Sequence, residues 1–225
     1  MQIIINHLTR MQKGFMCVAG VDPATGRHVR PVLAGRMRIE MLACHGGPFE
    51  LGRRVELGQT RFVGKVPEIE DRQFEASAAR RLERLPQEQF WQLLTEGATD
   101  TLAEIFGPDL QPIGPVSCGV PEFHGLRSLG CYWANRPSLH LQTTADPPRI
   151  RFGFDEDSRR YCVPVTDIRL YGEDHVTPDA AAVDRLSQTL ANHTRVLVSV
   201  GLSRAYKKTD QHPAVHWLQI NNIHL

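Results

Sequence analysis

At 225 residues, 41% hydrophobic and 23% charged, the chain suits one large or two small soluble domains with real cores. No apolar run approaches the roughly 20 residues that cross a bilayer, and Met1 to Met11 lacks the charged start and long apolar middle of a signal peptide, so neither a membrane span nor export is expected. The net charge of +1 conceals an uneven distribution: ten Lys/Arg against four Asp/Glu in residues 1–66, four against ten in 67–115, and twelve against eleven in 116–225. A basic first block beside an acidic second one points to an anion-binding module with a neutralising neighbour.

In chain order, Gln2 to Met11 opens as a strand, because Ile3, Ile4 and Ile5 are β-branched. Gln12-Lys13-Gly14 turns it into the clearest hairpin of the sequence, Cys17 to Val32. Pro23, Ala24, Thr25 and Gly26 form that turn, Pro pre-setting φ and Gly available for a positive φ. On the return strand, period-two alternation puts Val29 and Leu33 on one face and His28 and Arg30 on the other. The second face reads either as the solvated exterior of a strand or as a cationic grip. A short helix is expected from Met37 to Cys44, stopped by Gly46-Gly47. Arg36 and Arg38 stand at its start, where cations oppose the helix dipole, and a bound anion would explain them. Arg53 to Val63 returns to strand.

Residues 67–115 are punctuated by Pro67, Pro86, Pro108 and Pro112 and read as a helical insertion or bridge. A charged helix is expected over Ala76 to Leu85. A second opens at Pro86 and carries Phe90, Trp91, Leu93 and Leu94, and a third is capped by Thr99 or Asp100. From there Leu129 to Thr143, Arg149 to Asp155 and Arg160 to Tyr171 read as strands. Thr177 caps a helix from Pro178 to about Asn192, and Arg195 to Ser203 and Val215 to Leu225 are two final strands. Three strands, one helix and two strands is the order of an OB-fold, a five-stranded barrel that binds oligonucleotides and oligosaccharides.

On the final strand Leu218 and Ile220 form the apolar face, so Trp217, Gln219 and Asn221 should point the other way. A ring beside two amides suits a nucleobase, unless Trp217 packs against the helical block instead. The preceding loop adds Arg204, Lys207 and Lys208 as phosphate-seeking charges. The candidate nucleic-acid contacts are therefore Arg27, His28, Arg30, Arg36, Arg38, Arg204, Lys207, Lys208, Trp217, Gln219 and Asn221. Of the 26 cations 22 are Arg, which suits bidentate phosphate contacts, although a GC-rich genome produces the same bias.

The five cysteines (17, 44, 118, 131 and 162) are odd in number and never form a CxxC, so a reducing cytoplasm is the expected setting. No metal or other cofactor is expected: His212-x-x-x-His216 has a ligand spacing, but nothing nearby completes a site. GxSxG, GxxxxGK[ST], HExxH and GxGxxG are all missing, so no hydrolase, NTPase or dinucleotide fingerprint is present. Cys17 and Cys44-His45 read as a possible nucleophile beside a base or, more commonly, as structural cysteines.

The stretches HLTRM at 7–11, CVAGVD...TGRHVRPV at 17–32, GGPFELG at 46–52, EIFGPDL at 104–110, SLGC at 128–131, VTDIRLY at 165–171, VGLSRA at 200–205 and HWLQINNIHL at 216–225 together resemble the prokaryotic dual-OB-domain proteins. CVAG...VRPV is the most specific piece, and the resemblance spans nearly the whole chain. It implies two barrels, a nucleic-acid or nucleotide-binding role in a conflict, defence or mobile-element setting, and no catalytic residues to carry over. The expectation is a mainly β protein: two OB-like small barrels, residues 1–66 and 116–225, with an acidic helical segment, 67–115, between them. It would act as a sensor or adaptor for single-stranded nucleic acid or a nucleotide, with another protein as effector and no membrane partner. The alternative is a small hydrolase or transferase acting on a nucleotide or modified base, centred on Asp22, His28 and Arg30. One departure from the resemblance is that the N-terminal part yields four strands where a barrel needs five.

Overall fold

The strand that opens the chain, β1 (Gln2–Arg10), is also its structural centre, buried continuously from Ile3 to Thr9. In this computed structural model residues 1–145, 147–207 and 213–225 are described. Between Ile5 and His7 the register of β1 against β2 (Met16–Val21) slips by one residue. This bulge is why Ile3, Ile5 and Leu8 enter one core, where strict alternation would turn Leu8 to the opposite face.

The first sheet continues with β3 (His28–Val32), β4 (Arg53–Glu56), β5 (Thr60–Phe62), β6 (Asp71–Phe74) and β7 (Arg80–Arg84), in the order β5-β6-β3-β2-β1-β4-β7. β4 and β5 are two halves of one strand, interrupted at Leu57-Gly58-Gln59, where Gly58 has φ +69°. The first half pairs with β1 and the second with β6, so the sheet curls back on itself. β6 is the missing fifth strand. It runs parallel to β3, with Arg30 opposite Asp71.

Two helices expected from sequence are not formed. Met37 to Cys44 is two 3₁₀ turns, Ile39–Met41 and Ala43–His45, with Leu42 extended between them and bridged to Phe49. Gly47 lies so close to Met41 that a Cβ would stand 2.2 Å from its backbone carbonyl, and this approach takes the place of a continuous helix. Ala76 to Leu85 is one 3₁₀ turn, Ala76–Ala78, followed by β7, which pairs with the open edge of β4. The charges that suggested a solvated helix face instead decorate an edge strand, where Arg54 and Glu83 meet at 2.6 Å. Residues 67–115 thus contribute strands to both sheets and, among the described residues, only two helices.

These are α1 (Gln87–Glu96) and α2 (Leu102–Phe106), separated by β8 (Ala98–Thr99). Thr101, not Thr99 or Asp100, caps α2: its hydroxyl accepts from the Glu104 N–H and donates to the Glu104 carboxylate. α1 lays Leu94 and Phe90 against Cys131, Trp133 and Leu197 on the outside of the second sheet, as the helical spacing predicts, whereas Trp91 is 36% exposed and meets Trp133 edge to face.

The second sheet comprises β8, β9 (Gln111–Ile113), β10 (Ser117–Pro121), β11 (Leu129–Gln142), β12 (Arg149–Glu156), β13 (Arg159–Pro164), β14 (Arg195–Leu202) and β15 (Val215–His224), with α3 (Ala180–Leu190) between β13 and β14. β11 to β15 and α3 fall in the expected order. Asp179, not Thr177, caps α3 by accepting from the Ala182 N–H; Thr177 donates to Asp174 in the preceding loop. A parallel bridge from Val165 to Ile220 links the third strand of this unit to its fifth, as β3 and β6 are linked in the first. The protein is mainly β, with two curled sheets forming two barrel-like domains. No helix among the described residues is long and apolar enough to cross a membrane.

Candidate functional site

β15 mirrors β1. Its register against β14 shifts between Ser199 and Val200, which lets Leu218, Ile220 and Ile223 share the second core despite their odd spacing. The residues displaced by the two bulges meet where the barrels join. Asn222 accepts from the Leu8 N–H at 2.7 Å and donates to the Leu8 carbonyl at 3.2 Å, as a neighbouring strand would. Ser199 Oγ donates to the Asn6 carbonyl at 2.9 Å and lies 2.8 Å from His224 Nε2, and Asn221 Nδ2 lies 3.0 Å from His7 Nδ1. Burial lowers the pKa of His7 well below normal and that of His224 to about 3. These imidazoles are neutral parts of a polar seam.

A charged seam runs beside it. Arg30, only 4% exposed, places Nε 2.5 Å from Asp71. Arg204, from the other barrel, reaches Asp71 at 2.6 Å and Glu68 at 2.9 Å. Glu70 accepts from the Ser128 N–H and hydroxyl, both at 2.8 Å, and from the Leu129 N–H at 3.2 Å. Burial raises the Glu70 pKa, with Arg30 and the Ser128 bonds opposing only in part. The acidic run 68–71 is therefore the glue between the barrels, a role that its expected place in a helical bridge concealed.

The residues singled out from sequence accordingly part company. Arg30 and Arg204 are held by carboxylates and do not offer free guanidinium groups. Trp217 is 8% exposed, with its indole N–H 3.4 Å from the Tyr206 carbonyl, so the ring packs inward and is no open stacking platform. Gln219 donates to Asn221, and Asn221 is buried in the seam. Parity placed these three on one face correctly for Trp217 and Gln219, but the bulge at Asn221 and the neighbouring barrel decided what that face meets. Lys207 is exposed, while Lys208 and His212 lie outside the described residues. His216 is buried, its Nδ1 2.9 Å from the Ser203 carbonyl. Arg36 and Arg38 are exposed, both over the Phe15 ring at 5.2 and 5.9 Å.

Arg27 and His28 line a different feature, a cleft of about 820 Å³ between the barrels. Its walls include the β2–β3 turn, Phe62 and Arg72 of the first barrel, and Leu126, Arg127 and Cys131 of the second, with the carboxylates of Asp22, Glu70 and Glu96 among the cations. Asn6 Nδ2 donates to His28 Nε2 at 3.0 Å, which leaves the ring proton on Nδ1. Burial first, then the Arg127 charge, lowers the His28 pKa to about 4, so the imidazole is neutral at pH 7. Among the described residues none of Arg27, Arg72 and Arg127 is ion-paired with a carboxylate. Phe62 is 55% exposed, with the Arg72 guanidinium 5.7 Å from its ring centre. Outside this cleft, in a smaller pocket of about 160 Å³ shared with Glu68, Arg204 and His216, Phe123, 65% exposed, holds a left-handed φ of +67°, with Lys65 5.8 Å from its ring. A bulky residue at positive φ is rare, and strain of this kind clusters at functional sites.

Phe62 and Phe123 were not singled out from sequence. The signal available was an aromatic next to a cation in Arg61-Phe62, and an aromatic in the turn Glu122-Phe123-His124-Gly125. Of the three residues of the catalytic alternative, Asp22 and His28 both line the cleft, Asp22 accepting from the Ala24 N–H at 2.9 Å and the Thr25 hydroxyl at 3.0 Å within its own turn, whereas Arg30 is held by Asp71.

No family model and no curated protein matches the chain. Among solved structures, one described as "Structure of murine DNA binding protein bound with ds DNA" is similar at 8% identity over 98% of this chain and 91% of that chain, with a TM-score of 0.32, which is too distant to inform either fold or function.

Proposed function

We propose that the chain is a nucleic-acid- or nucleotide-binding protein of the dual-OB kind, and that its ligand is a single strand or a nucleotide seated in the cleft between the barrels. The observation that supports this most is the exposed Phe62 ring beneath Arg72, in a cleft that also carries Arg27 and Arg127. An open aromatic face offers about 1–3 kcal/mol of stacking per base, and the base must already be unstacked, which favours a single strand over a duplex. The volume lies within the range of about 300–1,000 Å³ usual for small-ligand sites, so one nucleotide fits inside and a longer strand follows the flanking arginines. In this reading the protein binds and a separate effector acts, in a prokaryotic defence or mobile-element context.

The test is a fluorescence-anisotropy titration of short single-stranded DNA, RNA and duplex across a salt series, with wild type beside Phe62→Ala and Arg127→Ala. Binding of a single strand that both substitutions weaken supports the reading. Failure of all three nucleic acids to bind at low salt, or unchanged binding by both variants, overturns it.

A further inference from the structure

We propose that Cys44, His45 and His175 form a divalent transition-metal site of the zinc type that clips the first barrel to the second. Cys44 and His45 belong to the 3₁₀ turn Ala43–His45, and His175 lies 130 residues from His45, in the loop between β13 and α3. One ligand atom from each residue lies within 4.8 Å of the other two. The two Nε2 atoms face each other at 3.3 Å, with the rings crossed at 83°. Two nitrogens bound tetrahedrally at about 2.0–2.1 Å from one zinc ion stand about 3.3–3.4 Å apart.

Both segments are shaped to hold this approach. On one side Gly46, at φ +87°, ends the turn, and Gly47 presses against Met41. On the other, Asp174 accepts from the Val176 and Thr177 N–H groups and the Thr177 hydroxyl, fixing the loop. His175 itself sits at φ +51°, a conformation that costs a residue with a Cβ and persists only where the surroundings demand it. Its Nε2 is the nitrogen turned toward His45, while its Nδ1 is buried with no hydrogen-bond partner among the described residues. One thiolate and two imidazoles are borderline-soft donors that select zinc over magnesium or calcium. Three protein ligands leave a fourth position for water or an incoming donor, as in open zinc sites. The pair Cys44-His45 drew notice in the sequence, but its partner was too far along the chain to complete a recognisable spacing.

Cys44 is the exposed cysteine, the other four being buried or half-buried, which makes it readable on its own. The purified full chain, stripped with chelator, is titrated with Co²⁺ and then Zn²⁺. One equivalent of cobalt should give tetrahedral d–d bands and a thiolate-to-cobalt charge-transfer band, both abolished by zinc. Cys44→Ala should lose the charge-transfer band, and His175→Ala should bind about tenfold or more weakly, while Cys162→Ala behaves as wild type. Zinc should also slow alkylation of Cys44 in wild type and not in His175→Ala, a readout that needs no cobalt spectrum. Absence of stoichiometric cobalt binding, or metal binding and alkylation by His175→Ala that match wild type, overturns the assignment.

Discussion

The seam and the cleft lie side by side between the same two barrels and use the same side chains to opposite ends. In the seam Arg30 and Arg204 meet Asp71 and Glu68, and each charge is held by another. In the cleft Arg72 lies over the Phe62 ring and Arg127 beside a neutral imidazole. Although Asp22, Glu70 and Glu96 also line the walls, no ion pair among the described residues ties up Arg27, Arg72 or Arg127, whose charge remains available to an anion. Residue type alone therefore does not distinguish an arginine that joins domains from one that binds a ligand. What faces it does.

The sharpest way to separate the two regions is to remove Asp71, which lies between two guanidinium groups. Asp71→Ala should cost about 3–5 kcal/mol, the range for stranding a buried ionic partner, read by chemical denaturation. Arg127→Ala, in the cleft, should stay within about 0.5 kcal/mol of wild type. Equal stabilities for the two variants would erase the distinction between seam and cleft.

The buried histidines sharpen the comparison through pH. His28 titrates at about 4 and His224 at about 3 in the folded protein, against about 6.5 unfolded. Their folded values are depressed, so the unfolded chain takes up protons first on acidification. The stability they confer is complete above about pH 6.5 and declines as pH falls toward those folded values, by up to about 1.4 kcal/mol per pH unit for each imidazole. Glu70 has a raised folded pKa and works in the opposite sense, its protonation offsetting part of the loss through that window. Thermal melts from pH 7 to pH 4 should show the decline, and His224→Gln should flatten it; an unchanged slope would mean that His224 titrates normally.

Smaller effects belong to single contacts. Asn222→Ala removes the amide that bonds both backbone groups of Leu8 and should cost about 1–3 kcal/mol of stability, measured by denaturant titration. Phe62→Ala should instead leave stability nearly unchanged and weaken single-strand binding by about 1–3 kcal/mol with little change in salt dependence. Arg127→Ala should reduce the slope of log affinity against log salt by about 0.7, the share of one phosphate contact on a single strand. A Phe62→Ala variant that loses stability and binds normally would move this ring from the cleft's machinery to its scaffold.

How much of this was legible in the sequence follows from how far each signal reaches. The six elements from β11 to β15 and α3, and the hairpin of β2 and β3, were readable because β-branched runs, turn residues and helix caps act within a few positions. β6 and β7 were not, since short polar segments become strands only when β3 and β4 offer them open edges. The bulges at Asn6 and Asn221 carry no local mark, yet they decide that Leu8 and Ile223 turn into cores and that two asparagines face the other barrel. The acids at 68–71, the inward Trp217 and the approach of His175 to Cys44-His45 depend on partners roughly 10 to 130 residues away. Local propensity sets which strands form, and the packing of one barrel against the other sets which of their charges are left over for function.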